Sequence, residues 1–410
     1  MSWKLVEFDV LKQVIADQNR EFAAKDVSED GRMTQTHAQL TKHSHYHAFV
    51  GTALSQHHLA LGINLVRKGT SRGARWEKNG LARPAVPSTV KMSVAASESS
   101  QQHLSTLGPQ YRKDSAFAAR MRLHQSWYRA HVLGVSCGTG PKSTDTSQYG
   151  NMLTCADADT GCNFLTPEIA QVARDRVAQG SHGVEPFRLF HNMLSSQPMC
   201  FNLFGPLVND RVLARQLLAP LVTEDVAEVT RVAVEWAPEP SDAYLQDHTS
   251  FDAFIEYRTT DNRLCALGIE TKLTEPFSQN EYDGDRYRRW MRVADAPWRP
   301  EADATVHQIQ HNQLWRDHLL AIALRHQPNS TYAKTRLMVI RHPGDHDCAR
   351  VLADYRKLLR DQDDSLIDMP LDHLVDAWTA VIATGSRHSW IHDFRVRYLD
   401  LAKSAMRVVT

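Results

Sequence analysis

The sequence predicts an α/β fold: a mixed sheet in an α-β-β-β-α-β order, with helical regions before and after it. Three observations predict it. Four runs carry the alternation or β-branched content of strands, Val229–Trp236, Phe251–Arg258, Leu264–Leu273 and Arg336–Arg341. Apolar residues at helical spacing flank them near 185–197 and over 305–327. The chain has 410 residues, 42% hydrophobic and 23% charged. That is an ordinary globular composition, long enough for two or three domains at roughly 150 residues each.

Taken in order, residues 1–24 place Leu5, Phe8, Leu11, Val14 and Ile15 at helical spacing and predict one amphipathic helix. Residues 1–110 otherwise read as a variable, partly disordered extension. Ser, Thr, Gln, His and Gly dominate there, and KGTSRGARWEKNG and SVAASESSQQHLST have the texture of turns or linkers. His43, His45 and His47 alternate, and His57 and His58 follow. On a strand the first three would share a face. No strand pattern flanks them, so a solvated polar segment is the preferred reading over a metal site.

Residues 111–220 predict a helical region. Ser115 caps a helix over 115–133, whose Arg120, Arg122 and Arg129 either touch phosphate or form a solvated face. Thr166-Pro167-Glu168 opens the next helix with a cap and a proline at its first position. A helix near 185–197 begins at Pro186, Pro198 interrupts it, and residues 210–220 are helical again. The predicted core spans 185–345. Its second and third strands join through TTDNR (259–263) as a hairpin. A long loop with Arg286, Arg288, Arg289 and Arg292 then leads to the 305–327 helix and the fourth strand. Helices near 346–361, 371–384 and 388–405 make up the 346–410 region.

Lys plus Arg number 47 and Asp plus Glu 47. This excludes a histone-like polycation but not a nucleic-acid enzyme, since local charge governs a phosphate site. No apolar run approaches the roughly 18 residues of a membrane span, and Glu7 and Asp9 interrupt the N-terminal apolar run, unlike a signal peptide. A cytoplasmic protein with no membrane partner is expected. Six cysteines without a CxxC pair predict reduced thiols rather than a zinc ribbon or a disulfide framework. P-loop, GxGxxG and HExxH motifs are absent.

The constellation that carries chemistry lies on the hairpin. Asp252 heads its first strand, and Glu270-Thr271-Lys272 ends its second. Alternation puts Glu270 and Lys272 on one face and Thr271 on the other. Two carboxylates brought together by a hairpin can hold a hard cation such as Mg²⁺ or Mn²⁺, whose bound water becomes a nucleophile for a phosphodiester. A lysine two residues on can orient or deprotonate that water, or neutralise charge developing on phosphate. The plain alternative is an ion pair at a strand end.

These residues, SFDAFIEYR with Asp252 and LGIETKL with Glu270 and Lys272, resemble the PD-(D/E)XK nuclease superfamily, whose core has this α-β-β-β-α-β order. More narrowly, ARMRLHQSWYR (119–129), GCNFLTPEI (161–169) and SSQPMCFNLFGPL (195–207) resemble a bacterial group of restriction endonucleases. The resemblance covers roughly 115–345 and implies a restriction-endonuclease-like fold. It implies that Asp252 and Glu270 ligate metal, that Lys272 is catalytic, and that the Thr271 carbonyl is a further ligand. Phe251 stands where the family motif has proline, a position that varies.

Such nucleases often add an acid from the helix before the sheet, and Glu185 is placed for that; its alternative role is a first-turn acid favoured by the helix dipole. Gln310 and Gln313 resemble positions that line such sites, or are ordinary polar residues of a helix. Tyr282, Tyr287 and the four arginines from Arg286 to Arg292 either grip a phosphate backbone or form a solvated loop. The expected function is a metal-dependent endonuclease acting on DNA, in restriction, phage defence or repair, with a homodimer as one route to cutting both strands. The alternatives are a nucleic-acid-binding module with an inactive site, and a general phosphoesterase or structural partner protein.

Overall fold

The computed structural model describes residues 8–17, 21–36, 38, 50, 54, 63–67, 75–78, 106–180, 183–382 and 385–405. The chain divides into two compact units, Met1–Ala95 and Ala96–Thr410.

The first unit holds α1 (Phe8–Asp17), β1 (Glu21–Ala23), α2 (Ala24–Ser28), α3 (Gly31–Thr36), β2 (Ile63–Arg67) and β3 (Arg75–Lys78). Its strands form an antiparallel sheet in the order β1-β3-β2. Leu11, Val14 and Ile15 of α1 are buried with Val27 and Met33. The helix expected over 1–24 is therefore shorter among the described residues. The apolar period stops at Ile15, and Glu21–Ala23 gains more by pairing with Arg75–Lys78. The second of these strands lies inside the segment read as turn-like, because four residues carry too little alternation to announce a strand. His43, His45, His47, His57 and His58 lie outside the described residues.

The second unit begins with α4 (Ala116–Trp127), capped by Ser115, whose Oγ accepts from the Ala118 N–H at 3.2 Å. It continues as a π turn over Tyr128–Leu133 that ends at Gly134 in a left-handed conformation. There follow β4 (Cys137–Thr139), β5 (Gln148–Leu153), α5 (Cys155–Thr160), α6 (Pro167–Ala178), α7 (Pro186–His191), α8 (Ser196–Val208) and α9 (Arg211–Leu218). Thr166 caps α6 with proline at its start, as its sequence dictates. Pro198 sits in the first turn of α8 and opens that helix rather than interrupting the one before. Two of the basic residues of the α4 segment are structural, while Arg120 is exposed. Arg122 pairs with Asp114 at 2.5 Å, and buried Arg129 donates to the carbonyls of Gly150, Thr106, Leu107 and Val135.

The central sheet comprises β6 (Val226–Trp236), β7 (Phe251–Thr259), β8 (Leu264–Lys272), β9 (Tyr332–Arg341) and β10 (Leu366–Pro370), in the order β10-β9-β8-β7-β6. The first three form an antiparallel meander; β9 and β10 join in parallel, so the sheet is mixed. Between β8 and β9 come α10 (Asp285–Met291) and α11 (Asn312–His326), the crossover that a parallel connection requires. After β9 come α12 (His346–Arg356), β10, α13 (Leu371–Val381), α14 (Ser386–Tyr398) and α15 (Ala402–Ala405). β10 is a fifth strand that the sequence reading missed.

Two apolar layers sandwich the sheet. On one face Val232, Ile255, Leu267 and Ile340 pack with α6, α8, α13 and α14 through residues such as Ile169, Phe204, Trp378 and Phe394. On the other, Phe254, Leu337 and Val339 pack with α11 and α12 through Trp315, Leu319 and Tyr355. Gly268 is required in β8, because a Cβ there would sit 2.4 Å from the Phe251 ring. No described helix is long and apolar enough to cross a membrane.

Candidate active site

The register of the hairpin builds the site. Ala253 faces Ile269 across β7 and β8, so Asp252 lies level with Glu270 one step further on. Asp252 Oδ2 accepts two hydrogen bonds from Thr271, from its N–H and its Oγ1, each 2.7 Å. The Cys200 thiol of α8 donates to the Asp252 carbonyl at 3.3 Å, which seats this strand end on the α8 side.

Glu270 and Lys272 reach Gln313 of α11. Lys272 Nζ lies 2.9 Å from Glu270 Oε1 and donates to Gln313 Oε1 at 3.1 Å. Gln313 Nε2 donates in turn to Glu270 Oε1 at 2.6 Å, and the Ser278 N–H donates to Gln313 Oε1 at 2.7 Å. The ammonium also lies 4.7 Å from the centre of the Phe277 ring. The expected alternation of Glu270, Thr271 and Lys272 is seen in these partners.

Burial sets the electrostatics. Glu270 and Lys272 are each 5% exposed. Burial pushes Asp252 up to about 7, the Glu270 charge adds to the rise, and the Thr271 hydrogen bonds oppose it. For Lys272 burial favours the neutral amine, but the Glu270 carboxylate outweighs it and the ammonium is held above its ordinary range. In this arrangement the Lys272 ammonium is paired with the Glu270 carboxylate.

Two acids absent from the sequence-based set share this neighbourhood. Glu235, 5% exposed at the end of β6, is pushed well above the carboxylate range by burial and then by Asp252. Asp317 of α11, 3% exposed, is pushed well up by burial and then by Glu270, and its Oδ2 is buried without a hydrogen-bond partner among the described residues. Glu235 closes an alternating strand, and Asp317 interrupts an apolar helix four residues after Gln313. Those were the available signals.

Other expected residues lie elsewhere. Glu185 is exposed and caps α7, accepting from the N–H groups of Phe187 at 3.1 Å and Arg188 at 2.6 Å, so it fills its alternative role. Gln310 is exposed on the turn before α11 and bonds Gln308 at 3.1 Å. The helix starts at Asn312 rather than near 305, because the Asn312 side chain donates to the carbonyls of His307 and Tyr282 and closes the preceding turns.

Three of the four arginines hold their own region together. Arg286 donates to the Gln246 carbonyl, Arg288 pairs with Asp283 and Asp303, and Arg289 donates to the carbonyls of Ala243 and Tyr244. Tyr287 is fully buried. Arg292 is exposed and makes no ion pair among the described residues. GVSCG (134–138) has the spacing of a hydrolase nucleophile elbow, but it leads from a helical turn into β4 rather than from strand to helix.

Asp252 Oδ1 and Glu270 Oε2 carry no hydrogen bond among the described residues, and both are hard oxygens in a buried, acid-rich setting. That donor set fits a divalent cation with waters completing its shell. No three His, Cys, Asp or Glu side chains among the described residues form a ready-made cage.

The family model described as the PD-(D/E)XK nuclease superfamily matches residues 112–400 of the chain. No curated protein and no solved structure matches the chain.

Proposed function

Since the chain belongs to the PD-(D/E)XK nuclease superfamily, we propose that it is an endonuclease that hydrolyses DNA phosphodiester bonds with Mg²⁺ or Mn²⁺. The observation that carries this reading is the level pair Asp252 and Glu270 with the Lys272 ammonium 2.9 Å from the Glu270 carboxylate.

Asp252 and Glu270 would hold the cation through their free oxygens, with the Thr271 carbonyl as a further donor. A divalent cation bound there activates water and neutralises charge on the attacked phosphate. Thr271 orients Asp252 through two hydrogen bonds, so its second oxygen stays available. Gln313 orients Glu270 and Lys272 together. Lys272 presents its ammonium to the charge that builds on phosphate. A homodimer would bring two such sites to the two strands of a duplex. Restriction, phage defence and repair all suit this chemistry.

The test is incubation of the purified chain with supercoiled plasmid, linear DNA and RNA in Mg²⁺, Mn²⁺ or EDTA. DNA is cut with either cation and not in EDTA, and Asp252→Ala and Lys272→Ala each lower the rate by about 100-fold or more. Variants that cut like wild type would show the site to be misassigned. Salt-dependent DNA binding without cutting would establish the binding-module alternative.

A further inference from the structure

We propose that Glu235 is a positioning acid of this site, acting through intervening water on a cation held by Asp252 and Glu270. The inference rests on the nuclease reading above and extends it to a third strand.

The pairs Val234↔Ala253 and Trp236↔Phe251 bracket Glu235 opposite Asp252. Glu235, Asp252 and Glu270 therefore lie at one level along β6, β7 and β8. Glu235 is as buried as Glu270, yet only half of its carboxyl is committed. Oε1 accepts from Gln197 Nε2 at 2.7 Å, and that amide also donates to the Gly183 carbonyl at 3.1 Å. Oε2 accepts no hydrogen bond among the described residues and lies close against Gly183, an approach that a side chain there would prevent. A Cβ there would sit 2.7 Å from Oε2 and 3.4 Å from Ser250 Oγ.

The backbone adds a second, independent sign. Glu235 has φ of +50°, a conformation that residues with side chains seldom adopt. Arg176 clamps it, donating to the Val234 carbonyl at 3.0 Å and to the Glu235 carbonyl. Such conformations persist where the surroundings over-determine them, and they cluster at functional sites. Because Mg²⁺ keeps several waters, an acid beyond direct reach can still hold the cation through one of them.

A glutamate kept only to bond Gln197 would be replaceable by glutamine, whose amide oxygen accepts the same bond. A glutamate serving a cation would not be. Mn²⁺ binding to the full-length chain is therefore measured by calorimetry for wild type, Glu235→Gln and, to mark the site, Asp252→Asn. Glu235→Gln should melt at the wild-type temperature without cation, bind Mn²⁺ about 10–100-fold more weakly, and recover cleavage as Mg²⁺ is raised.

Gly183→Ala keeps the carboxyl but crowds Oε2, and should weaken Mn²⁺ binding in the same direction. It replaces Glu235→Gln as the deciding variant should the latter fail to fold. Unchanged Mn²⁺ affinity and Mg²⁺ requirement in the folded variant overturn the role of Glu235 while leaving the nuclease reading intact. Wild-type protein that binds no Mn²⁺ at the Asp252 site overturns both.

Discussion

Both ends of the central sheet carry buried charge, and the two clusters are built differently. At one end Glu224 accepts from Lys334 Nζ at 2.8 Å, from Arg336 and from the Tyr257 hydroxyl at 3.2 Å. Burial works to raise its pKa, but Lys334 and Arg336 outweigh it and hold Glu224 at about 2. At the other end Asp252, Glu235 and Asp317 are all pushed up, each by burial first and by another acid next. Lys272 is the base in contact there, and Glu270 already claims it. A cluster whose acids are matched by bases serves the fold. One with acids in excess leaves charge for a ligand to neutralise, which is how perturbed acids mark functional sites.

The largest expected contrast is between removing a matched acid and removing an excess one. Glu224→Ala leaves Arg336 buried without its partner and should cost about 3 kcal/mol in chemical denaturation, while its folded fraction still cuts DNA. Asp252→Ala should do the reverse, losing cleavage with little loss of stability. Equal stability losses at the two ends would erase the distinction.

The pH dependence sharpens it. Glu224 is held below its ordinary value, so its contribution is complete above about 4.5 and is lost as pH falls toward about 2. Asp252 is held above its ordinary value, so ionising it costs stability in the cation-free protein as pH climbs from 3.8 to about 7. A cation must displace that proton below about pH 7. Mn²⁺ affinity measured by calorimetry should therefore fall as pH drops below about 7, by up to about 10-fold per unit. An affinity flat across this range would remove Asp252 from the ligand set.

The smallest effect is expected at Glu185. Its alanine variant should lose about 1 kcal/mol as a helix cap and cut DNA at the wild-type rate. A large loss of cleavage in a stable variant would return Glu185 to the site.

Much of the site was legible because it is local. Asp252, Glu270 and Lys272 lie on two strands joined by a four-residue turn, 260–263, and alternation within a strand needs no tertiary information to assign faces. The resemblance carried by the same residues supplied the order of the core. The strand β10 was not legible, since five residues at a sheet edge carry little pattern. Nor were the arginines of α10, whose charge suggests phosphate until their carbonyl and carboxylate partners are in place.

Sequence periodicity thus settled which residues share a strand face and that the hairpin carries a charged pair. Which distant residues stand beside that pair is decided by packing. Gln313 rather than Gln310 meets Glu270, because α11 begins at Asn312 and the start of a helix sets the phase of every side chain after it. Glu235 rather than Glu185 stands beside Asp252, because the pairing of β6 with β7 places it there while a helix N-terminus claims the other. Helix phase and strand register depend on contacts far apart in the chain, so no local pattern could announce them.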